Sequence, residues 1–83
     1  MTQETFEKAI AISNAIDDLK HHLNRLNQPF DKETEISIRY KDSPFYVELN
    51  SDFIMFGVVG FMREYIDAVN LRIKQLELEL SAL

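Results

Sequence analysis

An α+β fold in the order helix, β-hairpin, long helix (α-β-β-α) is what this sequence predicts, on three observations. Apolar residues spaced alternately four and three apart draw helical stripes at both ends of the chain. Apolar and polar residues alternate strictly in two short central runs, as half-buried strands do. Between those runs, Lys41-Asp42-Ser43-Pro44 is turn chemistry, with side chains that bond their own backbone and a proline that fixes one dihedral. The 83 residues are read as one domain, residues 1–83.

The first helix is expected over residues 3–27. Ile12, Ile16, Leu19, Leu23 and Leu26 form its stripe, extended backwards by Ala9 and widened at the start by Phe6 and Ile10. Glu7, Asp18, Lys20 and Arg25 take the opposite face. Thr2 or Thr5 can cap its start, Glu4 suits the positive end of the helix dipole, and Pro29 stops it. The hairpin is expected over residues 34–50, with Ile36, Ile38, Tyr40, Phe45, Val47 and Leu49 turned inward. A two-stranded hairpin is marginal alone, so the helices are expected to cover that face.

The second helix is expected over residues 52–82, starting from Asn50 or Ser51 as cap. Met55, Val59, Met62, Ile66, Val69, Ile73, Leu76, Leu80 and Leu83 hold the four-three spacing for nine positions, a coiled-coil-like seam that pairs with the first helix. Ile54, Val58, Phe61 and Tyr65 add a second stripe, so this helix is apolar on more than one side near its start. Gly57 and Gly60 each cost about 1 kcal/mol in a helix interior, which points to close packing against a backbone or a bulky ring. The competing reading makes Phe53-Ile54-Met55-Phe56-Gly57-Val58-Val59 a third strand.

Fourteen acidic residues against nine basic ones give a net charge of −5, a balance that argues against reading nucleic acid or an anionic membrane through phosphates. The uncharged run Phe53–Met62 is ten residues long, where a membrane-crossing helix needs about 20. Cysteine is absent, which excludes disulfides and thiolate metal sites and fits the cytoplasm. The N-terminal residues lack the pattern of a signal peptide.

A domain this small has a thin stability margin and gains from a staple such as a partner subunit. Leu71 and Leu78 lie off the main seam, and leucines continue to the last residue. A homo-oligomer is therefore expected through Met62, Ile66, Val69, Leu71, Ile73, Leu76, Leu78, Leu80 and Leu83.

Chemistry is sparse. His21 and His22 point about 100° apart on a helix, with no third ligand at a useful spacing, so no metal site is expected. No serine sits in a nucleophile-elbow pattern, and no catalytic residue or cofactor is expected. Gly57-Val58-Val59-Gly60 lacks the lysine and serine of a phosphate-gripping loop. Arg39, Lys41, Tyr46, Arg63 and Arg72 are the candidate ligand set: guanidinium forks suit phosphate or carboxylate, and rings suit base stacking.

The runs ETFEKAIAISNAIDDLKHHLNRL, ISIRY, FYVEL and FMREYIDAVNLRIKQLELELSAL together resemble small accessory proteins of bacterial phages and prophages. Many of these set two helices around a short hairpin and end in a leucine–glutamate-rich helix. The resemblance rests on layout and composition and carries over no functional residue. It implies a non-enzymatic homo-oligomer in the host cytoplasm. Such a protein binds a host protein, or sequesters a small anionic, nucleotide-like ligand, to counter host defence. A structural or assembly component with no ligand is the alternative, and a small metal-dependent enzyme the minor one.

Overall fold

The computed structural model describes residues 2–83. Helix α1 (Gln3–Arg25) is followed by strands β1 (Ser37–Arg39) and β2 (Tyr46–Glu48), one 3-10 turn (Ser51–Phe53) and helix α2 (Gly57–Ser81). The α-β-β-α order is the one read from the residues, and the two helices pack together. The chain divides into two compact units, one comprising the chain through Gln28 with Ile66–Leu83, the other Pro29–Tyr65.

In the helical unit, the Thr2 hydroxyl accepts the Thr5 amide at 3.1 Å and so caps α1. At the other end, the Leu26 amide donates to the carbonyls of His22 and Leu23 before the chain leaves the helix. The seam forms as the spacing dictates. Ile16 on α1 and Ile73 and Leu76 on α2 are buried together, with Ile12, Ala15, Leu19, Leu23, Val69 and Leu80 packed around them. Glu4 and Lys8 approach to 3.9 Å on an exposed face, a pair of little energetic weight.

In the other unit, β1 and β2 pair antiparallel with Ser37 opposite Glu48, Ile38 opposite Val47 and Arg39 opposite Tyr46. The Leu49 amide donates to the Ile36 carbonyl at 2.8 Å. The turn closes when the Ser43 amide donates to the Tyr40 carbonyl at 3.0 Å and the Ser43 hydroxyl accepts the Phe45 amide at 3.2 Å. Strands and turn thus follow the sequence, but the cover does not. Ile36 and Leu49 are half-buried, whereas Ile38 and Val47 are exposed, and Tyr40 and Phe45 at the tip reach 69% and 75% exposure. Toward the turn, the face expected to point inward is open to solvent.

The second helix starts later than expected. The Asn50 side chain accepts the Asp52 amide at 2.9 Å, so Asn50 does cap a turn, but only the 3-10 turn. Ile54 is extended, and Phe56 and Gly57 adopt left-handed φ values of 66° and 69°. That reversal breaks the helical register before α2 begins and carries Met55 off the seam, leaving it 78% exposed. Residues 53–59 are therefore not a third strand, and the helix expected from residue 52 begins at Gly57. From Val59 to Leu80 every seam position is half-buried or buried. Val58, on the second apolar stripe, is also buried, while Phe61 and Tyr65 stack with centroids 6.4 Å apart at the surface.

The two glycines serve different ends. A Cβ at Gly57 would meet nothing within 4 Å, so close packing does not explain that glycine, and its left-handed backbone does. A Cβ at Gly60 would stand 2.5 Å from the Phe56 Cβ, so here a bulky neighbour does exclude a side chain.

Candidate functional site: the uncovered hairpin

Alternation along the strands sends every second side chain to the same face. On one face Ile38 sits directly opposite Val47, and Tyr40 and Phe45 continue the same rows toward the turn. On the other face Arg39 lies opposite Tyr46. Its guanidinium is 5.7 Å from the ring centroid, and Nη1 donates to the tyrosine hydroxyl at 3.4 Å. Tyrosine, phenylalanine and arginine in exposed positions are the residue types that anchor protein interfaces. The same unit leaves Phe53 and Phe56 87% and 72% exposed, positions that sequence reasoning placed inside a helix.

The candidate ligand set is only partly assembled. Arg39 and Tyr46 come together across the hairpin, and Lys41 is exposed at its turn. Arg63 is exposed on the first turns of α2. Arg72 belongs to the helical unit and donates to the Gln75 side chain at 3.4 Å. At the hairpin base, Lys32, Glu33, Glu35, Glu48 and Val58 are among the residues lining an open polar groove.

The expected oligomer set also divides. Val69, Ile73, Leu76 and Leu80 are engaged with α1, and Met62 and Ile66 are half-buried. Leu71 and Leu78 are 58% and 70% exposed. Each is two residues away from a buried seam residue, a rotation of about 200° on a helix, so they lie on the side opposite the seam. Leu83 is exposed at the end of the described chain.

His21 and His22 line a shallow depression on α1 with Asp18 and Arg25. Among the described residues, no group of three His, Asp or Glu side chains is placed to hold a metal ion. No described helix is long and apolar enough to cross a membrane. No family model, curated protein or solved structure matches the chain.

Proposed function

We propose that this chain is a non-catalytic interaction protein that works as a homo-oligomer. One observation carries the reading: fifteen large hydrophobic side chains among the described residues are at least 40% exposed, against four hydrophobics that are buried.

The resemblance to phage accessory proteins adds a use for such a surface, namely engaging a host protein to counter host defence. Arg39 stacked on Tyr46 supports a second reading, in which copies of this cation and ring sequester a small anionic, ring-bearing ligand such as a nucleotide. Light scattering tests the first reading, and the expected mass is at least twice the 9.7 kDa of one chain. A 9.7 kDa particle that unfolds cooperatively contradicts it. For the second, a nucleotide at 100 times its dissociation constant adds about 2.7 kcal/mol, a large shift in melting temperature for a chain of this size. An unchanged midpoint across a nucleotide panel removes that reading.

A further inference from the structure

Resting on the oligomeric reading above, we infer that the outer edge of β1 pairs antiparallel with the same edge of a second copy about a two-fold axis at Ile38, joining two hairpins into one four-stranded sheet. The hydrogen-bonding parity of the hairpin selects this edge. The Leu49 amide bonds the directly opposite Ile36 carbonyl, so Ile36–Leu49 is a hydrogen-bonded pair. In an antiparallel ladder such pairs recur every second residue, which makes Ile38–Val47 one as well. Ser37 and Arg39 therefore point their backbone N–H and C=O groups away from β2, and among the described residues the sheet has no third strand to receive them. On β2 the outward positions are 44, 46 and 48, and Pro44 removes a donor there, a common way of blunting an edge. The β1 edge keeps all its donors.

That edge is complementary to itself. With Ile38 opposite Ile38 of the second copy, Ser37 meets Arg39, Ile36 meets Tyr40, and Glu35 meets Lys41 of the second copy. Two opposite-charge pairs form, and the outward-pointing groups of Ser37 and Arg39 meet as hydrogen-bonded pairs. The register is even, so the apolar rows of both hairpins fall on one face of the joined sheet and double its area. A two-stranded hairpin with an open apolar face is marginal in water, whereas a wider sheet with a shared face is not.

The chain's lack of cysteine makes the register directly testable. Residues facing each other in a non-hydrogen-bonded antiparallel pair have Cα atoms about 4.5 Å apart, within disulfide range. Ile38→Cys should therefore oxidise to a covalent dimer on a non-reducing gel, while Val47→Cys, on the far strand, should not. Ser37→Pro removes an outward donor without touching the β1–β2 ladder, and should lower the light-scattering mass of the reduced protein with its circular dichroism unchanged. Glu35→Lys and Lys41→Glu should each raise the dissociation constant about tenfold, and the double exchange should restore it. An oligomeric wild type whose mass survives Ser37→Pro and whose Ile38→Cys variant does not cross-link overturns the edge pairing and leaves the oligomeric reading standing. A monomeric wild type overturns both.

Discussion

Phe56 and Gly57 decide where the second helix begins. Both backbones are left-handed, a conformation that costs a non-glycine residue about 1–2 kcal/mol. Gly57→Ala should accordingly destabilise the chain by about 1 kcal/mol although nothing occupies the space its methyl group would enter. Gly60 is coupled to Phe56 through the close approach of their side-chain positions. Gly60→Ala gains up to about 1 kcal/mol in helix propensity but collides with the Phe56 Cβ, which is fixed to the backbone and cannot swing away. Chemical denaturation should show Gly60→Ala destabilising in the wild type and stabilising in a Phe56→Gly background. Additive effects in that double-mutant cycle would contradict the close approach. Sequence reading found the crowding at Gly60. It missed the reason for Gly57, because a glycine needed for its φ and one needed for its size look alike in one sequence.

The elements differ in how much of themselves a single sequence reveals. Both helices declared their seam, since a four-three spacing is an intrinsic property of the chain, and Ile16, Ile73 and Leu76 are buried where it puts them. Strand alternation likewise put Ile38 and Val47 on one face, and they stand opposite each other there. What alternation does not encode is the body that covers a face, so the rows holding Tyr40 and Phe45 read as core and are exposed. The two sides of α2 should respond differently to charge. Leu76→Glu buries a carboxylate in the seam and should unfold the chain, whereas Leu71→Glu with Leu78→Glu should retain the helical circular dichroism and weaken self-association. Leu76→Ala should cost about 2–5 kcal/mol, enough to consume much of the stability of a domain this small.

For the whole molecule, the proposed self-association rests on how few apolar side chains are buried. Four buried hydrophobic side chains among the described residues are a small core, and Tyr40, Phe45, Tyr46, Phe53 and Phe56 of the hairpin unit stand largely in solvent. The proposed oligomer would draw stability from association, and anything that binds the folded state alone makes stability depend on concentration. The most direct measurement is the thermal midpoint across a hundredfold dilution of the wild-type protein. The proposed self-association predicts a midpoint that rises steadily with protein concentration. A midpoint that stays constant over that range would show that a single copy shields its own apolar surface and needs no second.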